Sequence, residues 1–310
     1  MSSYVINLLM QSCISVISVT GIYLLTGLAG MFSLGQAGYM AIGAYTTFIL
    51  ASVLGIPFYI TAVGGILFAM IFAFIAGTPT VKLRKDYFSL ISVGLGQAIT
   101  ALLITFSSVT NGSQGFTKIP RVEGLHWYVL AITVLTVAIA ANVKHSRFGR
   151  MCIALKNDEL AAQSFGINVP HLKVKIYIIA SAMAGVAGIL SGLQSRVLLP
   201  ESFGWTASSE MEIFLFFGGT NSLTGAVLSA FGLKSMPELF RSVRIFGQSL
   251  QEYRTIIYCV LIILILNFRK EGLLGEFELS LKPIRRWIAG LRNKELRKQL
   301  REKKEGTLDE

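Results

Sequence analysis

Long apolar runs, separated by short polar ones, predict the architecture of this chain. Six runs stand out, at 4–26, 58–78, 88–108, 125–143, 176–193 and 255–268. A helix needs roughly 20 apolar residues to cross about 30 Å of hydrocarbon, so the last run is short for the purpose. Two further apolar stretches, 27–54 and 209–233, are rich in glycine and hydroxyl side chains. Within the first, 38–54 could cross by itself. The pattern therefore predicts an all-α polytopic membrane protein with about eight apolar elements, two of them glycine-rich and discontinuous. A transmembrane domain over 1–275 and a basic, amphipathic and charged tail over 276–310 complete the expected layout.

One polar island, 144–175, interrupts the apolar pattern and reads KNDELAAQSFGINVPHLKVK over 156–175. Asp158 and Glu159 fall in the first turn of a short helix, where carboxylates favour the positive helix end. Ala161 and Ala162 would leave a shallow dent on that helix, and Gly166 would stop it. A chain mostly buried in lipid has little reason to keep such an insert unless something outside the membrane reads it. The bland alternative is a capped helix in a surface loop.

Charge placement orients the spans. Short cytoplasmic loops carry an excess of Lys and Arg, which places Lys82, Arg84 and Lys85, the island and the tail after Phe268 on one side. The loops 107–124 and 194–212 then face the other side. Stretch 209–233 must consequently dip in and return, or cross twice as half-helices. Composition agrees: 53% of residues are hydrophobic and 15% charged, against about 25% in soluble domains, and no charged side chain occurs before Lys82. The first run is too long, and lacks the basic flank, for a cleaved leader. Cys13, Cys152 and Cys259 form no metal or disulfide spacing.

At a constant offset of 189, Gly30, Ser33, Leu34, Ala37, Ala41 and Gly43 match Gly219, Ser222, Leu223, Ala226, Ala230 and Gly232. Chance identity among small residues competes with the reading that this is a duplicated discontinuous helix. Such helices are where transporters place their path. Ser33, Gln36, Thr220, Asn221 and Ser222 offer neutral polar groups beside glycines, and Ser33, Gln36, Asn221 and Ser222 are expected to face a hydrated cavity near mid-membrane. Tight helix packing is the competing reading.

Missing motifs narrow the function. No GxxxxGK[ST], HExxH or GxSxG occurs, and His126, His145 and His171 are isolated. No expected span carries a carboxylate at its centre, unlike most proton- or sodium-coupled carriers. No catalytic residue, metal site or bound cofactor is expected.

Six blocks in order resemble the permease subunits of the high-affinity branched-chain amino acid ABC transporters, specifically the M-type subunit. They are GLAGMFSLGQAGYMAIGAY at 27–45, RKDYFSLISVGLGQAI at 84–99, NGSQGFTKIP at 111–120, SRFGRMCIALKNDELAAQSFGINVPHLKVKIYIIASAMAGVAGIL at 146–190, GGTNSLTGAVLSA at 218–230 and FRKEGLLG at 268–275. The chain departs from the family pattern at Lys85, Gln97, Thr220, Asn221 and Ala226. Gln97 and Asn221 bear on the polarity of the path.

The resemblance implies a permease in a bacterial-type plasma membrane, importing branched-chain amino acids, with its C-terminus cytoplasmic. It implies two cytoplasmic ATPase subunits that hydrolyse the ATP, a second permease and an extracytoplasmic substrate-binding protein. Asp158, Glu159, Ala161, Ala162 and Gly166 would seat in the ATPase, and Gln97 would join the path. Urea or short amides are the alternative cargo; a secondary carrier fits less well.

Overall fold

The computed structural model describes residues 3–239 apart from position 84, with isolated positions beyond them as far as 275. The tail expected at 276–310, and nearly all of the run at 255–268, lie outside the described residues. Helix α1 (Ser3–Ile22) continues through a π-helical turn, Tyr23–Leu28, and then the helix stops. Helices α2 (Gln36–Leu54), α3 (Phe58–Thr80), α4 (Lys85–Thr105), the short α5 (Ser107–Thr110) and α6 (Leu125–His145) follow. Five described segments are long and apolar enough to cross a membrane: Tyr4–Leu28, Phe58–Thr80, Tyr87–Thr105, Leu125–His145 and Val169–Ser195. The protein is all-α and polytopic, with a two-residue antiparallel pair, Arg244–Ile245 with Gln248–Ser249, late in the described chain.

The polar island is helical almost throughout. It holds α7 (Arg147–Asn157), α8 (Glu159–Ser164) and the first turns of α9 (Val169–Ser195). Helix α9 starts seven residues before the apolar run at 176–193 because its start signals lie upstream. The Asn168 side chain accepts a hydrogen bond from the His171 N–H at 3.3 Å, and Pro170 occupies the first turn.

Small residues build the core. Helix α2 is buried among α3, α9 and α4, and a Cβ at Gly43 would stand 2.6 Å from Gly185 Cα of α9. Without a hydrophobic drive between helices in lipid, close backbone approach supplies the dispersion contacts. The Tyr39 and Tyr177 hydroxyls meet at 2.8 Å in that core. Tyr59, Ile60, Val63, Leu130, Val134 and Leu135 stay on the outside of α3 and α6, where lipid would cover them.

At the end of the molecule away from the island, two loops are joined. Phe116 N–H donates to Leu198 O at 2.9 Å, Leu198 N–H donates back at 3.0 Å, and Tyr45 Oη donates to Leu198 O at 2.8 Å. This end also holds the start of α1, since Gln194 Nε2 donates to Asn7 O at 2.9 Å.

Stretch 209–233 falls in two helices joined by a tight turn, an out-and-back shape. Helix α10 (Trp205–Gly218) runs towards the basic end, the chain turns at 219–221, and α11 (Leu223–Leu239) returns. At 1.5 Å per residue the two helices are roughly 21 and 26 Å long, each shorter than the roughly 30 Å of hydrocarbon. The loop expected at 194–212 ends early: α10 begins at Trp205 and carries Glu212 into the protein, where it is 2% exposed.

Candidate functional site

The two glycine-rich elements are both helix–break–helix. Gly30 and Gly219, matched at the 189-residue offset, have φ of +69° and +110°, conformations that a side chain resists. Each break precedes a new helix, α2 and α11 respectively. The two breaks also touch: a Cβ at Gly27 would lie 2.7 Å from Thr220 O.

Helix breaks free backbone groups that cannot face lipid. In the first break, neighbouring side chains take them up. Leu34 N–H donates to Ser92 Oγ at 3.0 Å, Ala37 N–H to Ser208 Oγ at 2.9 Å, and Ser89 Oγ donates to Phe32 O at 3.0 Å. The Glu212 Oε1 atom accepts from Thr26 Oγ1 at 2.6 Å and from Ser33 N–H at 3.4 Å. Serines of α4 and α10 and one glutamate thus satisfy this break from within the protein. Three buried polar atoms remain unpartnered there and beside it: Ser33 Oγ, Gln36 Oε1 and Glu212 Oε2.

The island grips both breaks. Lys156, at the end of α7, donates from Nζ to Gly27 O at 2.8 Å and to Asn221 Oδ1 at 2.7 Å. Its aliphatic stem packs on Gly30, where a Cβ would meet Lys156 Cγ at 2.9 Å. Lys144 Nζ donates to Asn221 O at 2.7 Å and lies 5.6 Å from the Tyr23 ring centroid. One lysine therefore ties α7 to both discontinuities at once.

Helix α8 follows α7 after a single residue. Asp158 caps it, its Oδ1 accepting from Leu160 N–H at 2.8 Å and Ala161 N–H at 3.1 Å, and Gly166 turns the chain away with φ +79°. Glu159 accepts from Lys173 Nζ at 2.7 Å, an ion pair inside the chain. Ala161 is exposed, whereas Ala162 is 2% exposed and faces inward, so only one alanine of the pair can present itself to a partner. Leu160 and Phe165 are 75% and 86% exposed at the basic end.

The expected path residues fall at two depths. Ser33, Gln36 and Ser222 are fully enclosed; Gln36 Nε2 donates to Ala180 O of α9 at 2.7 Å, and Ser222 Oγ caps α11 by accepting from Gly225 N–H at 3.0 Å. Asn221 is exposed at the basic end, with Thr220 half-buried beside it, and Gln97 is half-buried on α4. Sequence reasoning missed Lys156, Glu212, Leu160 and Phe165. A glutamate amid MEIFLFF and a phenylalanine beside the stopping glycine were the available signals.

A family model described as the branched-chain amino acid transport system / permease component matches residues 4–266. The chain is 28% identical over 295 residues to the high-affinity branched-chain amino acid transport system permease protein LivM of Escherichia coli K12, covering 84% of this chain and 68% of that protein. It is 26% identical over 290 residues to LivH, a permease protein of the same system in Salmonella typhimurium, covering 84% and 91% respectively. A solved structure, PsaBC from Streptococcus pneumoniae in complex with Fab, aligns with a TM-score of 0.49 and 14% identity over 85% of this chain and 91% of that one, too loosely to support a conclusion. The match over 4–266 spans both breaks, the lysine that joins them and the capped helix α8, and the chain belongs to the branched-chain amino acid transport permease family.

Proposed function

We propose that this chain is a permease subunit of an ATP-driven importer of branched-chain amino acids, and that α8 is the element its ATPase grips. The exposed Leu160 on α8 and Phe165 just after it, between the capping Asp158 and the turning Gly166, carry the reading. Two large apolar side chains beyond the lipid-facing helices are costly in water and mark a protein contact. The basic end, with the C-terminus, faces the cytoplasm; the joined loops at Phe116 and Leu198 face the binding protein. A second permease completes the path. This chain holds no nucleotide itself, and ATP is hydrolysed by two partner subunits.

Force then has a short route. An ATPase that shifts α8 shifts α7, and Lys156 carries that displacement to Gly27 and Asn221, one in each break. The cargo assignment follows the relatives' names and the uncharged, small-residue character of the breaks. Reconstitution of the permease pair with its ATPases and binding protein tests the reading. Leucine should stimulate ATP hydrolysis and accumulate in proteoliposomes, and urea should do neither. Stimulation by urea but not leucine would reassign the cargo, and uptake without ATP would remove the importer class.

A further inference from the structure

Polar side chains on α1 are not scattered. Asn7, Gln11, Ser15 and Ser18 recur at intervals of four, four and three, one face of a helix. That face lines a half-open cavity of about 420 Å³ at the end away from the island, whose other walls come chiefly from α9, α10 and α11. Its mouth is polar, with Gln194 and Ser195 at the end of α9. Its deeper wall is apolar: Ile14, Met40, Met211 and Phe214 line it. On one side sits an ion pair, Lys234 Nζ to Glu210 Oε1 at 3.0 Å, with side chains 19% and 28% exposed.

From these features we infer that the cavity is a binding site for a free α-amino acid with an aliphatic side chain, held as the zwitterion by Glu210 and Lys234. The choice of ligand class rests on the amino-acid reading above. An α-amino acid carries an ammonium and a carboxylate a few ångströms apart, the same charges as the wall in mirrored order. Set against Glu210 and Lys234, they make an alternating square with no net charge added to a partly desolvated site. A side chain of leucine size then lies on Met40, Met211 and Phe214. The volume lies within the range of small-ligand pockets, about 300–1,000 Å³. A lone ion pair tying α10 to α11 would need neither a cavity beside it nor a polar stripe on the facing helix.

The test uses the complete transporter in nanodiscs, with Cys13, Cys152 and Cys259 changed to Ala and Ser15→Cys as reporter. A water-soluble maleimide should label Ser15→Cys, and leucine should slow that labelling. Isopentylamine, which lacks the carboxylate, and 4-methylpentanoate, which lacks the ammonium, should not slow it at the same concentration. In the background of Glu210→Gln with Lys234→Met, which sheds both charges at similar length, protection should need about ten- to a hundredfold more leucine. Unchanged gel-filtration behaviour and unchanged labelling without leucine show that this variant is folded. No protection by leucine in a transporter that still accumulates leucine overturns the site while leaving the importer standing. Protection that survives the double substitution, or equal protection by either single-charge analogue, overturns it as well. Absence of leucine uptake by the unsubstituted transporter counts against the cargo assignment instead.

Discussion

Replacing Lys156 by Met should separate ATP hydrolysis from transport. Methionine keeps the stem that packs on Gly30 but loses the ammonium that donates to Gly27 O and Asn221 Oδ1. Hydrogen bonds from a charged donor are worth about 1.5–3 kcal/mol each. Asn221 is exposed, so its share is discounted for solvent, leaving about 2–3 kcal/mol of linkage between α7 and the two breaks. A coupling free energy of that size corresponds to roughly a 30- to 150-fold change in the equilibrium it biases. The α8 surface is untouched, so Lys156→Met should co-purify with its ATPases and hydrolyse ATP. Leucine taken up per ATP, measured in proteoliposomes, should fall at least tenfold. Asn221→Ala should cause part of the same loss, and the double variant should be less than additive, since the two share one hydrogen bond. Wild-type uptake per ATP in Lys156→Met would refute this route.

Other substitutions separate surface from scaffold. Phe165→Glu should abolish ATPase co-purification while leaving the melting temperature of the isolated permease within a degree or two, because the ring is 86% exposed. Ala162→Arg should instead destabilise the permease, by about 1–3 kcal/mol from overpacking, and its purified yield should drop. Gly219→Ala places a Cβ at φ +110° and should cost about 1–3 kcal/mol, read as a lowered melting temperature. Burial pushes the Cys152 thiol of α7 up to about 12, so at pH 8 it stays protonated; iodoacetamide should modify it only when the protein unfolds.

Much of the fold was legible because lipid imposes a harsh rule: about 20 apolar residues per crossing. The capped helix α8 was legible for a local reason, since Asp158 and Gly166 act within one turn of themselves. What remained hidden depends on residues far apart in sequence. Lys156 sits in a basic island where a lysine ordinarily means solvent, and only the folded chain brings it to Gly27, 129 positions away. Ser92 and Ser208 read as neutral helix positions, yet each satisfies a backbone N–H of the first break from 58 and 171 positions away. Ala161 and Ala162 are adjacent on a six-residue helix, and nothing local says which one turns inward.

The reciprocal bonds between Phe116 and Leu198, with Tyr45 beneath, have a kinetic consequence. Two surface loops that wander independently must be immobilised by whatever lands on them, at roughly 0.5–1.5 kcal/mol for each ordered side chain. Here those bonds already join the two loops to each other and to α2, which lowers that cost. If the proposed binding protein lands there, it meets loops already tied together, so its residence time can remain short without the first contact becoming rare. Fast arrival combined with easy departure is what a carrier that must unload and leave requires.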